Sequence, residues 1–139
     1  MEQRVTIIGL GVNDLQASTK FYTETFGWTM SENSTDDITF IQLNGILLSL
    51  YPREKLAKDA TVTPEGSGFR GVTLAHNARS KKEVDQIFSD LKNKGVRIVK
   101  PPEEVFWGGY SGYIADPDGH LWEIAYNPYL TLDEDGNVK

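Results

Sequence analysis

The feature that most constrains this chain is one order of elements that occurs twice along it. Val5 to Val12 is a short apolar run interrupted by Gly9 and Gly11, the pattern of a strand whose backbone lies close to another group. Asn13 or Asp14 can cap the helix that follows, because a short side-chain oxygen accepts from the unpaired N–H groups of a first turn. Leu15, Ser18, Phe21, Tyr22 and Thr25 recur at helical spacing, and Gly27 ends the segment. Trp28 to Ser31 reads as a strand. Ile38 to Leu43 alternates, Asn44-Gly45 is a two-residue hairpin signal, and Ile46 to Tyr51 returns.

Pro52 to Gly68 is polar, with Pro64, Gly66 and Gly68, and reads as a connector. Beyond it the order begins again. Phe69 to His76 is a strand, and Ser80 to Lys94 is a helix with Val84, Ile87, Phe88 and Leu91 on one face. Gly95 ends that helix, and Val96 to Val99 is the next strand. Pro101-Pro102 opens a loop that runs through Gly108-Gly109. Tyr110 to Ala115 and Leu121 to Tyr126 then form a hairpin around Asp116-Pro117-Asp118-Gly119.

The two helix centres lie about 65 residues apart, so each unit takes about half the chain. The recurrence predicts an α+β fold in which two βαβββ modules form a curved, partly closed mixed sheet. Each module has one helix-covered face and one bare face, and two such sheets leave a concave surface when they pair. The expected organisation is a single domain over 1–128, with module one at 4–52, a connector at 53–68 and module two at 69–128. Residues 129–139 form an acidic tail, expected to be loosely held.

Charge and composition narrow the function. A net charge of -6 with scattered Lys and Arg argues against nucleic acid, which demands a local basic excess. The absence of cysteine removes disulfides, thiolate nucleophiles and Cys-type zinc sites. No apolar run approaches the ~20 residues that span a bilayer. The N-terminal residues lead directly into a strand pattern, so the expected address is the cytoplasm, with no membrane partner.

The segment Phe106-Trp107-Gly108-Gly109-Tyr110-Ser111-Gly112-Tyr113, followed by Asp116-Pro117-Asp118-Gly119-His120-Leu121-Trp122-Glu123, resembles the last hairpin of the vicinal oxygen chelate superfamily, the glyoxalase/bleomycin resistance protein/dioxygenase family. Leu10-Gly11-Val12-Asn13-Asp14-Leu15, with Ser18 and Phe21-Tyr22 behind it, resembles that family's first strand and helix. The resemblance implies a cup for a small organic molecule and a homodimer whose modules pair within one chain or between two.

Metal-using members of the family carry ligands on the concave side of the outer strands. By that resemblance the ligand positions here are Ile7, Ser49, Gly71 and Glu123. Ile7 and Gly71 carry no donor, and a one-residue slip to Ile8, Leu50 or Val72 supplies none. No cofactor is expected. The alternative is a divalent metal such as Zn, Ni, Fe or Mn, with Glu123 as the surviving candidate ligand.

A turn at Pro117-Asp118-Gly119 sets Tyr113 opposite Glu123, on one face of the hairpin. Glu123 has two readings: a carboxylate tied to neighbours at the rim, or an acid in a partly apolar cup suited to general base work. Trp107, Tyr110 and Tyr113 surround a glycine-rich loop, either as a lid packed on the sheet or as a wall for a planar ligand. Phe40, Tyr51 and Ser49 are candidates for the other wall.

His76 and His120, the only histidines, read as structural or surface residues, with His76 directed to the helix side. Gly9-Leu10-Gly11 begins a dinucleotide fingerprint that fails at Asp14, whose charge would repel a pyrophosphate. The acidic turns at Asp116–Gly119 and Asp133–Gly136 lack the ligand spacing of a calcium loop.

Two functions follow. The leading one is binding of an apolar or aromatic small molecule without a tight metal. The rival is a glyoxalase-like lyase or isomerase, or a dioxygenase, that depends on a metal or uses Glu123 as general base.

Overall fold

Short alternating runs and well-placed caps give two separate sheets. The computed structural model describes all 139 residues, Met1–Lys139, which divide into two units, Met1–Arg70 and Gly71–Lys139.

In the first unit, β1 (Ile7–Val12) leads to α1 (Leu15–Lys20), whose N-cap is Asp14. The Asp14 carboxylate accepts from the Ala17 N–H at 3.0 Å, satisfying one of the first-turn donors. The helix ends in a π-helical turn, Phe21–Thr25, in which the Phe26 N–H reaches the Phe21 carbonyl at 3.0 Å. That wider turn gathers Phe21, Tyr22, Phe26 and Trp28 into edge-to-face and stacked contacts with centroids 4.9–6.0 Å apart.

β2 (Thr39–Gln42) and β3 (Leu47–Pro52) form the expected hairpin, with Gly45 at φ +71°. The sheet order is β1-β3-β2, with β1 parallel to β3. Leu10, Val12, Ile41, Leu48, Leu50 and Tyr22 are its buried core.

Two expectations fail here for local reasons. Trp28 to Ser31 makes only one bridge, between Met30 and Ile41. Trp28 is drawn into the aromatic group, and the Ser34 hydroxyl takes the Phe40 N–H at 2.9 Å, so a ladder partner is already spent. The connector also holds a helix, α2 (Arg53–Asp59), because Arg53-Glu54-Lys55-Leu56-Ala57-Lys58 are strong helix formers. Pro52 stands before it, where a missing N–H does no harm.

In the second unit, β4 (Leu74–Asn77) is shorter than expected, since Gly71 adopts φ +78° ahead of it. α3 (Lys81–Asn93) carries a reciprocal cap. The Ser80 hydroxyl accepts from the Glu83 N–H at 3.1 Å, and Glu83 accepts from the Arg79 N–H at 2.7 Å. Val84, Phe88 and Leu91 bury its inner face.

β5 (Arg97–Glu104) continues through Pro101-Pro102, where a loop was expected. It lies at the sheet's edge and is bulged between Ile98 and Lys100 and again between Lys100 and Glu103. An edge with bulges tolerates prolines, because no partner needs their N–H groups. β6 (Tyr110–Ala115) and β7 (Leu121–Tyr126) complete the order β4-β7-β6-β5.

The tail is tied down more than its composition suggests. Leu132 bridges Val138, and the Arg79 guanidinium donates to the carbonyls of Asp133 and Glu134 at 2.9 and 2.8 Å.

Gly112 marks a close approach of β5 and α3 to β6. A Cβ there would meet the Lys100 carbonyl at 2.5 Å, the Phe88 ring at 2.7 Å and the Pro102 nitrogen at 2.8 Å. Gly112→Ala should therefore lower unfolding stability by about 1–3 kcal/mol, read from the urea midpoint. An unchanged midpoint would contradict the close approach of β5 to β6.

Candidate functional site

Strand alternation sorts the second sheet into two faces. Gly112, Ile114, Trp122 and Ile124 turn toward α3, as the approach of the Phe88 ring to Gly112 requires. Ser111, Tyr113, Glu123 and Ala125 turn the other way. On that face one residue from each strand falls into a single row. Lys100 pairs with Tyr113, Tyr113 with Glu123, and Glu123 with Ala75.

The hairpin register that creates this row is set by its turn. The buried Asp116 carboxylate accepts from the N–H groups of Asp118 and His120 at 2.9 and 2.8 Å, and Gly119 takes φ +82°.

An open pocket of about 310 Å³ lies over the row, with Lys100, Ser111, Tyr113 and Glu123 at its base and Phe106 and Trp107 at its rim. A tight turn presents the two aromatics. The Val105 N–H donates to the Gly109 carbonyl at 3.0 Å and the Gly108 N–H to the Val105 carbonyl at 2.9 Å. The Trp107 ring lies over Gly109, where a Cβ would fall 1.8 Å from it, so only glycine allows this stacking. Phe106 is fully exposed.

Charges in the row are coupled. Glu103 bonds the Lys100 Nζ at 2.8 Å and raises the lysine above its ordinary value, with smaller contributions from Tyr113 and Glu123. Burial raises the Tyr113 phenol, and the Glu123 charge and its hydrogen bond to Tyr113 add to this, while Lys100 opposes it. Ser111 is only 3% exposed, lines the pocket, and its hydroxyl is bonded to no other side chain.

Of the residues singled out in the sequence, Glu123, Tyr113 and Trp107 come together here. Tyr110 does not. Its hydroxyl donates to Asp85 of α3 at 2.6 Å, on the helix side. Phe40, Ser49 and Tyr51 belong to the first unit, where they share one face. Ser49 pairs with Phe40 and with Gly9, and Tyr51 with Gly11. His76 pairs with Ile124 and so lies on the helix side, and the His120 backbone belongs to the Asp116 turn. Lys100, Glu103 and Phe106 line the pocket as well, although the sequence pattern does not single them out as site residues. Reading β5 past the prolines would have placed Lys100 beside Tyr113.

The positions expected of a metal site do not supply one. Ile7 pairs with Leu47, Gly71 precedes β4, and Ala75 rather than Gly71 stands opposite Glu123. No three His, Cys, Asp or Glu side chains are grouped to hold an ion. The nearest charged residue in the row of Glu123, Lys100, stands beyond Tyr113 and is itself a cation. The donor set does not fit a side-chain-held metal.

The family model of the Glyoxalase/Bleomycin resistance protein/Dioxygenase superfamily matches residues 4–124. A glyoxalase-related enzyme from Fulvimarina pelagi has a similar structure, with a TM-score of 0.89 and 39% identity, over 99% of this chain and 98% of that one. A glyoxalase/bleomycin resistance protein/dioxygenase from Nocardioides superposes with a TM-score of 0.76 at 25% identity, over 91% and 84% of the two chains. Lactoylglutathione lyase of Arabidopsis thaliana is 27% identical over 116 residues, 81% of this chain but 40% of that protein. The chain thus spans well under half the length of that lyase. The α+β architecture with two modules is the fold of these neighbours.

The Tyr110–Asp85 bond makes a spectroscopic prediction. Asp85, by accepting a hydrogen bond from the phenolic O–H, pushes Tyr110 up to about 12. The raised value means that the bond stabilises the fold fully below the unfolded tyrosine value of ~10. That contribution fades as pH rises from there to about 12. Phenolate absorbance should show a tyrosine titrating at about 12 that Tyr110→Phe removes, distinct from the raised Tyr113. Its persistence in the variant would refute the assignment.

Proposed function

Because the chain belongs to the Glyoxalase/Bleomycin resistance protein/Dioxygenase superfamily, we propose that it binds a small organic molecule in the pocket bounded by Glu123, Tyr113 and Trp107, without a tightly held metal. The single observation that carries this reading is the row Lys100–Tyr113–Glu123 under two aromatic rims. Phe106 and Trp107 offer rings to an apolar or aromatic body, while the base offers polar groups that fix orientation. Phe40, Ser49 and Tyr51, which share one face of the first unit's sheet, are kept as candidate ligand-binding residues of that unit, and a cytoplasmic homodimer is the form we propose for the assembly. No helix is long and apolar enough to cross a membrane.

A second reading is a lyase or isomerase that moves a proton with Glu123 as general base. It is supported by the lactoylglutathione lyase relative and by the place of Glu123 directly across from the Tyr113 phenol in the pocket. A dioxygenase belongs to the same alternative and would need a redox metal. Metal analysis of dialysed protein separates these cases: stoichiometric Zn, Ni, Fe or Mn favours the metal-dependent enzyme and overturns our reading.

A library of aromatic fragments, followed by ligand-observed NMR, tests the binding proposal. Hits should be weakened about tenfold or more by Trp107→Ala, as loss of an aromatic wall implies. Glu123→Gln should weaken binding more than it lowers stability. Equal binding by both variants and the parent would sink the proposal.

A further inference from the structure

The polar groups at the base of the pocket divide into those already engaged and those still open, and the open ones describe a ligand. A lysine ammonium carries three donors. One N–H of Lys100 goes to Glu103 at 2.8 Å, in a pair that is roughly half exposed on each side and so holds weakly. The others point to no further protein acceptor. The Ser111 hydroxyl, in a side chain 3% exposed, adds another open donor on β6. Tyr113 faces Glu123 across the ladder, and the Glu123 charge raises its phenol. The Glu123 carboxylate has more lone pairs than one phenol can use, so it remains an open acceptor on β7. Open donors on β5 and β6 and an open acceptor on β7 therefore line one pocket, with Tyr113 between Lys100 and Glu123 and Ser111 one row away on the same face of β6.

Charge narrows the choice further. Glu104 is paired with Lys81. That leaves Lys100 between Glu103 and Glu123. A ligand carboxylate would add an anion beside two others, and a ligand ammonium would be placed against Lys100. An uncharged group with an acceptor oxygen beside an N–H or O–H donor meets neither penalty and uses both sides of the row.

We infer that the pocket recognises an uncharged aromatic compound whose polar end pairs an acceptor oxygen with a neighbouring donor, an aromatic amide being the simplest case. The acceptor oxygen lies toward Lys100 and Ser111, the donor toward Glu123, and the ring against Trp107 and Phe106. This rests on the pocket reading proposed above. Lys100 and Ser111 are then specificity-determining residues.

Three probes of matched size test it: benzamide, benzoate and benzylammonium, titrated by NMR into the full chain and into Lys100→Met and Ser111→Ala, with thermal unfolding as the check on folding. Benzamide should bind tightest to the parent. Lys100→Met, which keeps the apolar stem, should weaken benzamide about fivefold to tenfold and make benzylammonium the preferred probe. Ser111→Ala should weaken benzamide about threefold or more. A charged probe binding the parent best, equal binding of all three, or a benzamide affinity indifferent to Lys100→Met overturns the inference while leaving the pocket as a binding site. No binding by any probe overturns both.

Discussion

Asp116 lies at the bend between β6 and β7, buried, with its carboxylate bonded to the backbone N–H groups of Asp118 and His120. Those bonds fix the length of the turn, and the turn fixes which residues of the two strands face each other. Side chains alternate with a period of two, so a slip of one residue would send Glu123 to the α3 side and bring Trp122 to the pocket. The Tyr113–Glu123 pair, the coupling to Lys100 and the seat of the pocket all depend on that one buried carboxylate.

The final hairpin was the most legible part of the sequence, because turn chemistry and alternation together leave one register open. The same alternation condemns the grouping of Tyr110 with Tyr113. Residues three apart on a strand lie on opposite faces, and Tyr110 accordingly reaches Asp85. Hydrophobic pattern could not reveal what depended on neighbours. Trp28 to Ser31 has strand composition, yet the π-helical turn places Trp28 among aromatics and Ser34 claims the Phe40 N–H. Lys100 was hidden for the opposite reason, since prolines usually end a strand and here occupy a bulged edge.

The two halves share an order of elements but have diverged at equivalent positions. In the first, Ser49 sits between Phe40 and Gly9; in the second, Glu123 sits between Tyr113 and Ala75. Gly9 accommodates Ser49, whose Oγ lies 3.3 Å from where a Cβ would be. A neutral row and a charged row thus arise on one plan. One plan of elements carries different side chains on the faces away from the helices.

β5 carries Lys100 on an irregular edge. It ends the sheet with two bulges and two consecutive prolines, so much of its outer margin lacks the regular donors that another chain would need in order to extend the sheet. In a crowded cell, partly folded copies meet margin to margin, and a flat one would seed aggregation. The irregularity that disguised this strand in the sequence therefore protects the molecule from self-templated misassembly.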